Sequence, residues 1–446
     1  MQLIINGRLI TRDPAKPYFE KGAVAFEGTS IVEVGTEAEL TAKYPEAKRI
    51  DAKGGVIMPA LINAHTHIYS ALARGLSIVG NNPTNFYEVL DGTWWAIDRR
   101  LTLAGTKASA DALYLDCIKQ GVTTIFDHHA SYGEIPGSLF TIADSAREFG
   151  IRSCLCYEVS DRDGEEKCLQ GIRENGEFIS YCEKEQDPML KAMFGGHALF
   201  TISDKTFERM VETNNGRTGY HIHVSEGMND VYDSLQNYGR RPVQRLQDHG
   251  VLGRQTILGH CIHVNSAEID IIRETDTMVV NNPESNMGNA VGICPVLALS
   301  KAGILLGMGT DAYTNDMLES LKVALCSQRS NACAPNVAWC EVTDMLFKNN
   351  ALIGARYFPQ ELGVLKAGAA ADIIVMDYKP YTPFSHENID GHMIFGMTGR
   401  QCQTTIANGK VLMLDRQLVG VDEEAINAKI LEEAKKLWGS LNNRTY

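Results

Sequence analysis

Short apolar runs, broken by pairs of turn-forming residues, open the chain. Gln2–Ile5 and Arg8–Thr11 flank Asn6-Gly7, and Ala23–Phe26 and Ser30–Val34 flank Glu27-Gly28. Pairs of this kind accept the left-handed backbone of a type I′ turn, so the pattern predicts two β-hairpins. The far end repeats the device. Ala371–Asp377 is rich in β-branched residues, and Thr405–Ala407 and Lys410–Leu414 flank Asn408-Gly409. Hairpins at both ends predict one small β-sandwich domain built from residues 1–58 and 364–422. Past it, Ile426, Ile430, Leu431, Ala434 and Leu437 recur at helical spacing, which predicts a terminal helix within 423–446.

Between those ends, strands alternate with helices. Eight apolar runs read as strands: Val56–Ile62, Val122–Phe126, Ile151–Tyr157, Ala192–Gly196, Thr218–Val224, Thr256–Gly259, Thr277–Val280 and Ile304–Gly307. Amphipathic stretches separate most of them, among them Ala110–Gln120, Leu139–Phe149, Lys205–Thr213, Val243–His249 and Ala267–Glu274. Eight alternating strands over residues 59–363 predict an α/β fold, a (β/α)8 barrel. A doubly wound open sheet is the alternative. It calls for a glycine-rich phosphate turn after the first strand, where His65-Thr66-His67 stands instead.

In such a barrel, chemistry gathers where the strands end. The first strand ends at His65-x-His67, whose alternate spacing sends both imidazoles to one face. Later strand ends carry Asp127-His128-His129, His197, His221-x-His223-x-x-Glu226, His260 with His263, and Gly309-Thr310-Asp311. Nine of the 12 histidines fall at or just beyond these ends, which chance scatter would not produce. Imidazoles with a carboxylate suit a borderline divalent ion such as Zn²⁺ or Fe²⁺. Such an ion lowers the pKa of a water it holds, and a nearby carboxylate must then move the proton. Glu226 stands at the right strand end for that task.

Each residue also has an ordinary reading. A lone His-x-His pair is weak evidence, and His128-His129 could hydrogen-bond loops. Asp127 could cap a helix, and Trp94-Trp95 could be packing under the long segment from Tyr69 to Leu101. Arg74 could hold that segment rather than touch a substrate. The joint pattern outweighs these readings for the metal site.

Composition narrows the partners. Of 446 residues, 44% are hydrophobic and 22% charged, and the net charge of −13 argues against a nucleic-acid partner. No apolar run is long enough for a membrane span, and the N-terminal residues read directly as folded chain. The 11 cysteines are scattered with no Cys-x-x-Cys pair, so reduced thiols and a cytoplasmic location are expected.

Pro59-Ala-Leu-Ile-Asn-Ala-His65-Thr-His67, His223-x-x-Glu226, Gly259-His260-Cys261, Asn282-Pro283-x-Ser285-Asn286 and Gly309-Thr310-Asp311 resemble the amidohydrolase superfamily. More narrowly they resemble its chlorohydrolase and aminohydrolase (ATZ/TRZ-type) branch. The resemblance spans nearly the whole chain, including Leu365–Asp372. Trp94-Trp95 and Asp127-His128-His129-Ala130-Ser131 look like the SsnA subgroup, a name that identifies no reaction. By position, the resemblance implies that His65, His67, His223 and Asp311 hold one divalent metal ion, with zinc ahead of iron. It implies that Glu226 shuttles the proton and that His260 polarises the attacked centre or orients water. It implies substrate contacts at His197 and Asp98, and homodimers are expected by analogy. Two departures stand out. Asn281-Asn282 replace a His-Asn pair before Pro283, and Asp98 is shorter than the glutamate common in relatives.

The expectation is therefore a metal-dependent aminohydrolase, with Glu226, His260 and Asp311 catalytic. Its substrate would be a small nitrogen heterocycle, purine- or pterin-like, held by His197, Asp98, Trp94, Trp95, His128 and His129. Ring opening or dechlorination on the same site is the alternative. A non-catalytic binding protein on a retired barrel is the other class, and an intact Glu226 speaks against it.

Overall fold

The computed structural model, which describes residues 1–446, closes the predicted barrel from two parallel sheets. One joins β6 (Leu61–Thr66), β7 (Val122–His129), β8 (Arg152–Tyr157) and β9 (Leu190–Ala192). The other joins β10 (Phe194–Ala198), β11 (Tyr220–Val224), β12 (Ile257–His260), β13 (Met278–Asn281) and β14 (Leu306–Met308). β9 and β10 are two halves of one barrel strand broken at Met193. Parallel bridges between Val159 and Gly196 and between Thr66 and Asp311 close the ring. The inner strands are buried on both faces, which explains their continuous apolar runs.

Both chain ends build a second sheet of nine strands: β1 (Gln2–Ile10), β2 (Tyr18–Glu27), β3 (Ser30–Thr36), β4 (Lys48–Asp51), β5 (Val56–Pro59), β15 (Ile373–Met376), β16 (Cys402–Ala407), β17 (Lys410–Leu414) and β18 (Gln417–Leu418). Its order is β18-β17-β16-β15-β5-β1-β2-β3, with β4 pairing β1. The predicted turns at Gly28 and Asn408-Gly409 are there, with φ of 58°, 48° and 76°. They also touch: a Cβ on Gly409 would lie 1.7 Å from the Gly28 carbonyl oxygen, so only glycine fits.

Two predicted elements differ. Asn6-Gly7 is not a turn but an irregularity inside the single strand β1, with register shifts on either side of Gly7. Asn6 keeps the left-handed backbone (φ 59°) that made it look like a turn, and its Nδ2 donates to Asp51 at 2.7 Å. The predicted strand Val56–Ile62 is two strands. β5 lies between β1 and β15, while β6 belongs to the barrel. Ala60 N–H donates to Asp372 and Leu61 N–H to Gly121, so the chain changes sheets within one residue.

The five predicted helices form, the first as Leu103–Gln120, and others, among them Glu165–Glu185 and Met228–Tyr238, also lie between strands. The segment after β6 is partly helical. A 3₁₀ turn, Ile68–Ala73, leads to Phe86–Asp98, where a π-helical turn, Leu90–Trp94, interrupts the α-helix. The terminal helix, Glu423–Asn442, clamps this segment: Trp438 Nε1 donates to the Leu72 carbonyl at 2.7 Å. The buried ion pair Arg152–Asp372 ties the barrel to the terminal sheet. All 11 cysteines are free thiols, and no helix is long and apolar enough to cross a membrane.

Candidate active site

Four side chains converge at the barrel mouth. His65 Nε2 lies 3.2 Å and His67 Nε2 2.8 Å from Asp311 Oδ1, and His223 Nε2 lies 3.2 Å from His67 Nε2. A tetrahedral ion bonded at 2.0–2.1 Å sets its ligands about 3.3 Å apart. The three observed spacings are close to that length, and His65, His223, His260 and Asp311 offer donor atoms within 4.8 Å of one another, so the donors gathered here fit a divalent ion.

Hydrogen bonds behind the cluster set the tautomers. His67 Nδ1 donates to the His128 carbonyl at 2.6 Å and His223 Nδ1 to the His197 carbonyl at 2.9 Å. Each thereby turns its Nε2 toward the centre. His65 Nδ1 meets His221 Nε2 at 2.8 Å. Ser285 Oγ donates to Asp311 Oδ2, leaving Oδ1 for the cluster. Burial pulls His67 down, but the charge of Asp311 outweighs it and lifts His67 to about 9. Burial opposes ionisation of Asp311, yet His67 and His65 hold it well below the usual carboxylate range.

Glu226 and His260 stand beside this cluster, 3.5 Å apart. Burial, then the charge of Asp311, pushes the Glu226 carboxyl well above its ordinary range. Such a group can hold a proton near neutral pH and release it to a cation-rich site. His260 Nδ1 donates to Asn286 Oδ1 at 2.7 Å, and Asn286 Nδ2 donates to Asn281 Oδ1 at 3.1 Å. Asn281 thus fixes the amide that fixes His260. Ser225, His260, Cys261 and Asp311 all take left-handed backbone, with φ of 49°, 68°, 48° and 54°. Such conformations are unusual for these residue types and gather where side chains must be aimed.

A cavity of about 30 Å³ lies against His67, Tyr69, Trp94, Glu158, His197 and Glu226, among others. It shares Trp94, Asp311 and Ala312 with an open cleft of about 360 Å³ that Arg74 and Asp116 also line. The cleft has the size of a small-molecule site, whereas the inner cavity holds little more than water. A ring reaching Glu226 must therefore displace part of the helical cover Phe86–Asp98.

The expected substrate contacts divide. His197 and Trp94 face the inner cavity. Asp98 does not: it is fully buried, with Oδ2 2.5 Å from Arg162 Nη2, behind the helical cover. Trp95 is 3% exposed and packs edge-on to Tyr87 and His197 with Arg162 over its ring. His128 supports the cluster from behind, its Nε2 donating to the carbonyls of Gly196 and His221. His129 is buried against Tyr69 and Tyr157, outside the cavity wall. His263 donates to the Val291 carbonyl, away from the cluster.

A carboxylate of the cavity escaped the sequence reading. Glu158, 2% exposed, directly follows β8 and lies 3.4 Å from His128 Nδ1, 3.6 Å from Arg162 and 3.9 Å from His197 Nε2. Its position at a strand end was the available signal.

A model of the amidohydrolase family matches residues 56–412, and one of a bacterial imidazolonepropionase-like composite domain matches residues 22–47. The chain belongs to the amidohydrolase family. A 5-methylthioadenosine/S-adenosylhomocysteine deaminase of Thermococcus sibiricus is 33% identical to it over 422 residues, 92% of this chain and 94% of the relative. The zinc-bound crystal structure of an adenosine deaminase from Xanthomonas campestris has a TM-score of 0.85 at 22% identity, covering 98% of both chains. Atrazine chlorohydrolase TrzN from Arthrobacter aurescens TC1, complexed with zinc, has a TM-score of 0.81 at 22% identity, covering 97% of this chain and 100% of its own. At that identity the likeness to both structures is one of fold. As an amidohydrolase, the chain has its histidine cluster at the barrel end where this fold carries chemistry.

Proposed function

We propose that this amidohydrolase is a metal-dependent aminohydrolase that cleaves a carbon–nitrogen bond of a small heterocycle, purine- or pterin-like. The observation that carries the reading is Glu226 and His260 side by side, next to a four-ligand cluster at a closed barrel mouth. The deaminases among the relatives support it. His65, His67, His223 and Asp311 would hold one divalent ion, zinc by preference. Such an ion supplies a water of lowered pKa and polarises the attacked carbon.

Glu226 accepts the proton of the attacking water and returns it to the leaving nitrogen, so one carboxyl serves as base and then acid. His260, held by Asn286, stabilises charge on the carbon's substituent as the centre becomes tetrahedral. Asp311 keeps a negative charge beside the site throughout. The helical cover Phe86–Asp98 and Trp94 exclude bulk water while the bond breaks. Ammonia or an amine departs.

Within the family, Trp94-Trp95 and Asp127–Ser131 support placing the chain in the SsnA subgroup. Free thiols support a cytoplasmic location, and relatives by analogy a homodimer. The test is metal analysis with an ammonia-release screen over purines, pyrimidines, pterins and their hydrogenated or oxidised derivatives. Release that requires Glu226 supports the reading. Ring opening without ammonia, or activity in metal-free protein, overturns it.

A further inference from the structure

Glu158 is the one carboxylate of the inner cavity that the chemistry above does not use. It sits on the cavity wall 2% exposed, and the nearest side-chain nitrogens stand 3.4 Å or more from its carboxylate. The groups around it are engaged elsewhere or set too far off. Arg162 Nη2, 3.6 Å away, makes its shorter contact to Asp98, at 2.5 Å. His128 Nε2 already donates to two carbonyls, and its Nδ1 stands 3.4 Å off without forming a hydrogen bond. These neighbours favour the ionised carboxylate without saturating its lone pairs.

His197 beside it is set the same way. Thr201 Oγ1 donates to the Ala198 carbonyl at 2.9 Å, so it accepts from His197 Nδ1 at 2.8 Å. His197 Nε2 is then a bare lone pair on the cavity side, 3.9 Å from Glu158 Oε1. The cavity therefore presents two acceptors next to each other, with the Arg162 guanidinium 3.6 Å from Glu158. An acceptor pair left unmet in a buried site is costly, and a ligand that brings donors removes that cost.

We propose that Glu158 and His197 form an acceptor edge that selects substrates offering paired N–H donors. The inference rests on the aminohydrolase reading and narrows its substrate class. Heterocycles with a 2-amino-lactam, ureide or ring-reduced amidine edge present such donors. Rings whose edge nitrogens are all acceptors do not, and phosphate or carboxylate substituents would meet Glu158 with like charge.

The test measures equilibrium binding to the metal-loaded full chain with two matched probe pairs. Pterin is compared with pteridine and isocytosine with pyrimidine, the first of each pair carrying the N–H and NH₂ edge. The first members bind at least about tenfold more tightly than the second. Glu158→Gln weakens them by about 10- to 100-fold, the loss of a hydrogen bond to a charged acceptor, and leaves pteridine and pyrimidine within about threefold. Metal content and thermal midpoint are measured on the same samples. Glu158→Asp, which keeps the charge, is the second variant and retains the preference in part. Equal affinity within each pair for the unmodified chain, including no measurable binding of either, overturns the proposal. So does a content of two ions per chain that falls to one in Glu158→Gln, since Glu158, His197 and His223 could also hold a cation. Ammonia release decides the parent reading separately. Donor selectivity without any release would sink the aminohydrolase assignment and leave this edge standing, and release without selectivity would do the reverse.

Discussion

Glu226→Gln separates proton transfer from everything else the site does. Glutamine fills nearly the same volume and keeps a polar head. It cannot carry a proton from water to a leaving nitrogen. General acid–base catalysis is worth about 10²–10⁴-fold, so turnover falls by that factor, about 2.7–5.4 kcal/mol in the barrier. Metal content stays, because Glu226 lies against His260 and outside the ligand quartet. The ion-free protein gives an independent reading. There the folded-state carboxyl titrates well above its ordinary value, because of burial and Asp311. Between the unfolded value of about 4.3 and that raised value, the folded state binds more protons, so stability falls as pH rises. The variant has no such group. Ion-free Glu226→Gln is therefore more stable than the ion-free parent at neutral pH, and the gap closes below about pH 4. Ammonia release, elemental analysis and calorimetry across pH read the three quantities. Near-normal turnover on the true substrate, or loss of metal with the charge, would refute the role given to Glu226.

Further outcomes follow from the same contacts. In ion-free protein His67 holds a proton up to about pH 9, so an ion must displace it. Chelator competition should show affinity weakening about tenfold per unit as pH falls through neutrality, and a flat profile would contradict the displacement. Arg152→Met strands Asp372 inside the barrel–sheet junction; denaturant titration should show a loss of about 3–5 kcal/mol, and a loss under about 1 would mean the pair is dispensable. Trp95→Ala empties a buried site and should lower the thermal midpoint, at about 3–5 kcal/mol. Trp94→Ala opens the cavity wall and should raise KM with little change in the midpoint; matched effects of the two substitutions would refute the division.

The histidine–aspartate cluster was legible because its signal is positional. Imidazoles two residues apart at a strand end share a face, and the (β/α)8 pattern says which end matters. Substrate-side residues carry no such period. Asp98 looked like a contact because nothing local reveals Arg162, 64 positions on, which takes both its oxygens. Glu158 obeyed the strand-end rule but lay among other acidic residues with no partner motif. Pro59 hid a change of sheet, since apolar residues on both sides of it fit either neighbour. Asn6-Gly7 met the turn requirement for left-handed backbone, which an irregular strand also satisfies. Local conformation was readable; the partner that uses it was not.

The arrangement of the site depends on barrel register more than on any single side chain. His67 on the first barrel strand is oriented by the His128 carbonyl on the second, and His223 on the fifth by the His197 carbonyl on the fourth. His128 in turn is held by carbonyls of the fourth and fifth strands, at Gly196 and His221. Each tautomer is therefore written by the backbone of another strand. A slip of one residue would move the imidazole to the opposite face and remove its carbonyl acceptor together. The seam shows the same economy. Thr310 and Asp311 N–H both donate to the His65 carbonyl, so the contact that closes the first strand on the last also brings the His65 and Asp311 side chains together. An ion held by His65 and Asp311 would stabilise that closure, because no such pair exists until the ring is shut.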